Sequence, residues 1–471
     1  MINLDYTQNP LLGLAGVKEC KRLVSTANFR FARDSARTGR TQRPRTVVEC
    51  ICDLSQIDVL MQETHGNQTL PKVTGTGDVP DPYPSAMRVH MLSCCGAYVA
   101  LFAFLSVAAP AQNPAPQQST ARGSTTAADY NDAAYRRFDQ TLSFLRERNA
   151  RQYAIDPAKG VDEASYVSIG GIEQWVTIRG EDRSNPILLF LHGGPGDVTN
   201  PWSFAMFAPW EAHFTVVQWD QRGAGRTLSK SGPSVASTMT LGRMTQDGIE
   251  LTEYLCEHLG KRKVILVAHS FGTILGLRMI RERPDLFFAY VGTGQVADET
   301  QNYTAAYEAL LKKARAAGNQ QALDELKSIG PPPYANGEGY GVQRKWANRF
   351  EGADRFLYGT LGLVLVAPGY SVRDLNDSID GQILSGERLV PQTRSETMKE
   401  LGLKFAIPMF FFEGTEDFTT PTELARKYLE AIQAPRKEFV PISGGHFAVF
   451  MNSDQFLREL VAHVLPLAGG H

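Results

Sequence analysis

The hydrophobic and polar positions change character along the chain. From residue 1 to about 85 the apolar residues follow neither a helical nor a strand period. A basic stretch runs from Arg30 to Arg45, and a Gly/Pro/Asp-rich segment spans Thr74 to Pro84. Such a pattern does not define a packed domain. An apolar run then extends from about Cys94 to Ala109, and residues 112–128, rich in Gln, Pro, Ser, Thr and Ala, read as a linker. Between Tyr130 and Asn149 the spacing turns helical, with Phe138, Leu142 and Leu145 on one face.

Beyond Ser165 strands and helices alternate. Tyr166–Ile169 and Ile172–Ile178 flank Gly170-Gly171 as a hairpin would. Ile187–Leu191, Phe214–Trp219, Val264–Ala268 and Phe287–Val291 are short apolar runs, the mark of strands covered on both faces. Helical stretches follow at Thr240–Leu259 and Phe271–Arg283, the first stopped by Gly260 and the second by Pro284. This order predicts an α/β fold with a mostly parallel sheet and helices on both faces. The rhythm breaks between about Ala297 and Thr397, where Tyr303–Ala317 and Gln320–Ser328 are helical and Pro331-Pro332-Pro333 interrupts. It resumes with strands at Ile407–Phe412 and Glu438–Pro441. The expected organisation is therefore a core in two parts, 129–296 and 398–471, with a helical cap at 297–397 over the strand ends, where ligands bind in such sheets.

Composition narrows the function. The chain has 471 residues, 43% hydrophobic and 21% charged, with 48 basic against 50 acidic side chains and a formal net charge of -2. No single-sign field favours nucleic acid, so the expected partner is a small molecule or a short peptide. Five of the six cysteines precede residue 100, so the body, with Cys256 alone, needs no internal disulfide. Cys50 and Cys52 lack the neighbouring ligands of a metal site. Around the apolar run, Arg88 and His90 precede it and Ala109-Pro110-Ala111 closes it. A basic start, an apolar middle and an A-x-A end describe a secretory signal segment over 87–111. The run is short for a membrane span of about 20 residues. The expectation is an exported protein translated from Met87 or Met91, with residues 1–86 a non-native or disordered extension. Any membrane contact would come only through an uncleaved signal segment.

The chemistry centres on Ala268-His269-Ser270-Phe271-Gly272, a G-x-S-x-G elbow with Ala at its first position, set between an expected strand and an expected helix. Small residues two positions either side of the serine let the chain turn sharply. A serine needs a base, and in this arrangement an acid and then a histidine follow it along the chain. His446 sits in the glycine-rich loop Ser443-Gly444-Gly445-His446; His463 lies within a helical stretch and His471 at the terminus. The acid is expected after the Ile407–Phe412 strand, where Glu413, Glu416 and Asp417 stand, with Asp417 preferred. Its task is to hold the imidazole and stabilise the imidazolium. The alkoxide needs two backbone donors. Phe271 N–H supplies one, and the loop His192-Gly193-Gly194-Pro195-Gly196 supplies the other, with Gly193 expected to border the substrate. This loop lacks the Lys-Ser/Thr of a phosphate-binding loop. None of these steps calls for a metal or an organic cofactor.

His192-Gly193-Gly194-Pro195-Gly196 and Trp219-Asp220-Gln221-Arg222-Gly223-Ala224-Gly225-Arg226 together resemble the proline iminopeptidase (prolyl aminopeptidase) family of α/β-hydrolases, over roughly residues 165–465. The resemblance implies an α/β-hydrolase fold with an inserted cap. It also implies a Ser270–Asp417–His446 triad, an oxyanion hole from Gly194 and Phe271, and release of an N-terminal residue from short peptides. Asp220-Gln221-Arg222 would support the loop beside the site. The elbow departs from the family's Gly-Gly-Ser-Trp-Gly. The family also holds the substrate's amino group with acidic cap residues, for which Glu299, Glu351 and Asp354 are the candidates here. A carboxylesterase or lactonase would use the same triad, and a non-catalytic binding relative would keep the fold alone. Epoxide hydrolases and dehalogenases place Asp at the elbow, where this chain has Ser270.

Overall fold

A computed structural model describes residues 127–334 and 337–469. The expected extension (1–86), signal segment (87–111) and linker residues 112–126 lie outside the described residues. Positions 127 and 128, expected as linker, open a helix instead. Of the described chain, residues 127–138 belong to one unit and 139–469 to a second, which carries the sheet.

Helix α1 (Ala127–Gln152) buries Leu142 in the second unit. Strands β1 (Val161–Ile169) and β2 (Ile172–Gly180) then form the expected hairpin about Gly170 and Gly171, both at positive φ. β1 starts earlier than its apolar residues suggest. Its outward side chains, among them Asp162 and Glu163, pair with or sit beside polar partners rather than in the core, which masks the strand period.

β3 (Ile187–Leu191), β4 (Thr215–Trp219), β5 (Val264–His269), β6 (Phe287–Thr293), β7 (Met409–Gly414) and β8 (Lys437–Ile442) complete one sheet of order β1-β2-β4-β3-β5-β6-β7-β8. β3 to β8 are parallel, and β2 runs antiparallel to β4. The alternation of side chains explains the unbroken apolar runs. Leu188 and Phe190 face one core with Trp202, Phe207 and Phe450, whereas Ile187, Leu189 and Leu191 face the other with Leu251, Ile274 and Leu277.

Helices α2 (Asn200–Met206), α3 (Gly225–Ser231), α4 (Leu241–His258) and α5 (Phe271–Glu282) lie between the strands. Cys256, on α4, is half-buried and packs against the core. Between β6 and β7 stand α6 (Glu299–Ala316), α7 (Gln320–Ile329), α8 (Gly337–Glu351), α9 (Ala353–Leu365) and α10 (Val372–Thr393). The first two match the helical spacing of the sequence. The other three carry Gly or Pro at several positions, which lowers intrinsic helix preference, and are held by packing. A Cβ at Gly381 of α10 would lie 2.9 Å from the Ala224 Cα, so only glycine allows this approach to the segment after β4. There the Arg226 guanidinium pairs with Asp374 at 2.5 Å and stacks over Tyr370. From α1, Arg146 and Asn149 donate to the carbonyls of Leu365 and Val366, which satisfies the end of α9. The core closes with α11 (Met398–Leu401), α12 (Thr422–Ala431), α13 (Ala448–Met451) and α14 (Ser453–Glu459). No helix among the described residues is long and apolar enough to cross a membrane.

Candidate active site

Ser270 stands between β5 and α5 with φ 54 and ψ -125, the sole non-glycine residue at positive φ among those described. This conformation costs on the order of 1–3 kcal/mol and persists only where the surroundings fix it. Ser270 N–H donates to Thr293 O at 3.0 Å, and Ser270 O accepts from Thr273 Oγ1 at 2.6 Å. Gly272 is sterically required: a Cβ there would lie 2.6 Å from Leu191 O. Ala268 is tolerated where the pattern has Gly because Gly276 faces it; a Cβ on Gly276 would sit 3.2 Å from the Ala268 methyl.

The sheet edge brings His446 and Asp417 to this serine. His446 Nε2 is 3.0 Å from Ser270 Oγ, and His446 Nδ1 is 2.9 Å from Asp417 Oδ2. All three lie in loops or turns after strands: Ser270 after β5, Asp417 after β7 and His446 after β8. Asp417 Oδ1 accepts the N–H groups of Thr419 and Thr420, each at 2.7 Å, and Oδ2 accepts Thr420 Oγ1–H at 2.8 Å. Burial opposes the charge on Asp417, but the His446 ring and the bonds from Thr420 hold its carboxyl below the usual range. The other two acids lie elsewhere. Glu416 is exposed and pairs with Lys313 at 2.5 Å. Glu413 is buried on β7, where it accepts Gln295 N–H at 3.1 Å. His463 pairs with Glu438 and Glu459, and His471 is outside the described residues.

Two further histidines shape the site. His192 is buried, which pushes its pKa down to about 4 and keeps it neutral. Its ring contacts Gly193 O through Nδ1 at 3.0 Å and faces Gln221 N–H through Nε2 at 3.4 Å, which fits one tautomer with Nδ1 protonated. Gln221 Nε2 donates back to His192 O at 3.2 Å, so the Asp220-Gln221-Arg222 segment braces the glycine loop. Asp220 binds Asn200 and Arg226 N–H, and burial lifts its pKa to about 6. Arg222 is buried in a bidentate pair with Asp247, at 2.6 and 3.0 Å. His269, which replaces a family glycine, is buried, and burial with the nearby His446 pushes its pKa down to about 3. Its Nε2–H reaches His446 O at 3.0 Å and steadies the loop that carries His446.

A cavity of about 290 Å³ opens onto Ser270 and His446, with Gly194 and Phe271 on its wall. Neither of those two amides donates to an acceptor among the described residues. Gly193, expected beside the substrate, instead packs against the elbow: a Cβ there would lie 2.8 Å from the Ser270 Cβ. Glu299, the first residue of α6, does line the cavity, and burial lifts its pKa to about 7. Glu351 does not. Its carboxylate accepts Phe418 N–H at 2.8 Å and His446 N–H at 2.9 Å, so both oxygens hold the Asp417 and His446 loops rather than a ligand. Asp354, in the first turn of α9, is also outside the lining. Sequence reasoning missed Asp197, Asn302, Arg344 and Asn348, all of which line the cavity. Asn302, Arg344 and Asn348 have no sequence signature of their own, because only the packing of the cap helices brings them to the cavity, whereas Asp197 directly follows the glycine loop and its place there could have shown it. Thr420 was also missed, although the run Asp417-Phe418-Thr419-Thr420 could have shown it: an aspartate that binds the N–H groups two and three residues on forms an Asx-turn.

A family model described as alpha/beta hydrolase fold matches residues 186–453. Among curated proteins, the chain is 29% identical to the probable aminopeptidase YbaC of Bacillus subtilis, over 60% of this chain and 90% of that protein. It is 24% identical to the proline iminopeptidase of Neisseria gonorrhoeae, over 64% of this chain and 96% of that protein. Among solved structures, a proline iminopeptidase-related protein of Thermus thermophilus aligns at 21% identity and a TM-score of 0.47, covering 65% of this chain and 99% of that one.

Proposed function

Because this chain belongs to the alpha/beta hydrolase fold family, we propose that it is a serine hydrolase that releases an N-terminal residue from short peptides through an acyl-enzyme. The observation that carries the reading is the contact of Ser270 Oγ with His446 Nε2 at 3.0 Å on a strained turn that holds the hydroxyl at the cavity. Ser270 attacks the carbonyl while His446 takes its proton, and Asp417 holds the Nδ1–H side of the ring. The N–H groups of Gly194 and Phe271 receive the developing oxyanion. His446 then protonates the leaving amine, and a water it activates releases the acyl group.

The cavity supports a substrate with a free amino group. Glu299 lines it, and the Oδ1 atoms of Asn302 and Asn348, both buried, have no donor partner there. Unmatched buried acceptors are rare and are relieved by a donor-rich ligand. The names of the curated relatives point the same way.

Labelling with a fluorophosphonate probe, with Ser270→Ala as control, tests the nucleophile, and absence of labelling would overturn it. Paired kinetics on a proline arylamide and a short-chain aryl ester test the reaction, since ester-only activity removes the aminopeptidase reading. Export through residues 87–111 belongs to the same proposal. N-terminal sequencing of the product tests it, and a mature chain that keeps residues 1–86 would overturn it.

A further inference from the structure

The cavity contains one cation that the proposed reaction does not use. Arg344, on α8, lines the space beside Ser270 and His446. Its Nη1 donates to Thr419 Oγ1 at 3.0 Å, while its Nε is buried without an acceptor. Among the described residues it forms no ion pair, although Asp197, which lines the same cavity, and Glu351 feel its charge at longer range. An arginine stays charged at all working pH values, and its charge acts on Asp197 across the cavity without a direct ion pair between them. The cavity wall therefore carries a fixed positive charge whose guanidinium keeps a donor, Nε–H, without an acceptor, and a planar guanidinium suits a carboxylate.

The position of Arg344 indicates which half of a substrate it meets. Thr419, its partner, donates its N–H to Asp417, which in turn holds His446. Arg344 thus lies on the side of the acid and the base, and the leaving group must be there to receive its proton from His446. The oxyanion donors Gly194 and Phe271 belong to the other loops. In a dipeptide the terminal carboxylate is one carbon from the leaving nitrogen. A cavity of about 290 Å³ falls at the small end of ligand sites, which run from about 300 to 1,000 Å³, and suits a ligand of that size.

We propose that Arg344 recognises a free carboxylate on the leaving half of the substrate, so that the preferred substrates are dipeptides rather than longer peptides, peptide amides or arylamides. This inference rests on the aminopeptidase reading and adds the chemistry of the second residue. A zwitterion would then meet Glu299 through its amino end and Arg344 through its carboxylate.

The test is kcat/KM of the full chain on a matched pair, prolyl-glycine and prolyl-glycinamide, alongside proline arylamide. The dipeptide is expected to exceed the amide by about tenfold, the discrimination typical of one charge-assisted bond. Arg344→Gln is expected to bring that ratio to about one, and Arg344→Lys to restore part of it. A ratio near one in the unaltered protein, or a ratio that survives in Arg344→Gln, would overturn the proposal even with arylamide activity intact. If no amide is cleaved and only esters turn over, the aminopeptidase reading fails. An acyloxybenzoate and its benzamide counterpart then take the place of the peptides: a preference for the carboxylate that Arg344→Gln abolishes keeps the anion site, and no preference removes it. Thermal melting of each variant separates loss of recognition from loss of fold.

Discussion

Glu351 distinguishes two ways in which a cap acid can serve this site. If it bound the substrate's amino group, replacing it would raise KM for amines and leave a neutral ester unaffected. The structure instead makes it a clip between Phe418, beside Asp417, and His446. In Glu351→Ala both backbone N–H groups lose their acceptor. Each unsatisfied buried donor costs about 1–3 kcal/mol, so the pair costs about 2–6 kcal/mol if the loops stay in place. The loops can relieve this only by moving, and a shift of about 1 Å in a reacting group lowers turnover by about 10²-fold. The expected outcome on a short aryl ester is therefore a large fall in kcat with little change in KM, together with a lower melting temperature. Glu351→Gln keeps one acceptor oxygen but points an N–H at the other donor, so it should fall between the two. An ester kcat unchanged in Glu351→Ala would refute the reasoning.

The pH dependence of stability supplies an independent readout. Burial, with the charge of Asp417, raises the Glu351 pKa to about 8. The folded state then binds this proton more tightly than the unfolded chain, whose glutamate titrates near about 4.3. The stability it contributes is fully present below that value and is lost as pH rises through about 8. Melting curves taken across that window should show a downward slope in the unaltered protein that is shallower in Glu351→Gln. Equal slopes would show that Glu351 is ionised throughout.

Glu299 should tie amine recognition to pH. Its pKa of about 7 means that its carboxylate form grows as pH rises through neutrality, so KM for an aminoacyl arylamide should fall over that range while KM for a neutral ester stays flat. Glu299→Gln should remove the difference, and an amine KM that is flat with pH would count against the role. The buried pair of Arg222 and Asp247 should matter for stability: Arg222→Met leaves Asp247 with Arg243 and costs about 3–5 kcal/mol, or on the order of 10 °C in melting temperature. A melting temperature that does not move would show that Arg243 alone compensates Asp247.

The sheet was legible because parallel strands bury both faces. Ile187–Leu191 and Val264–Ala268 contain no polar side chain, and their order with the intervening helices fixes the topology. The elbow was legible because its backbone leaves room only for small residues at 268 and 272. Helices α8 to α10 were not, since Gly381 and Pro391 argue against a helix that packing against Ala224 nevertheless stabilises. Nor was the use of Glu351: its two partners are 67 and 95 residues away and are backbone amides, which leave no trace in side-chain patterns. Gly193 looked like a place where substrate approaches the backbone, but the neighbour that excludes a side chain there is Ser270 itself.

Charge sets Asp417 apart from the two buried glutamates near it. The ionised Asp417 burdens the ionisation of both Glu413 and Glu351. Burial and the charge of Asp417 push Glu413 well above the carboxylate range, and the same two causes raise Glu351 to about 8. Asp417 alone is held low, since it alone gathers the His446 ring together with the N–H and O–H groups of Thr420. Environments that drive neighbouring carboxyls apart assign their roles. Under the proposed reaction, the carboxylate held low is the one that faces the imidazole and would stabilise its protonated form. Glu413 and Glu351 accept backbone N–H groups of the Gly294–Gln295 and His446 loops, and so brace the turns on which Asp417 and His446 meet.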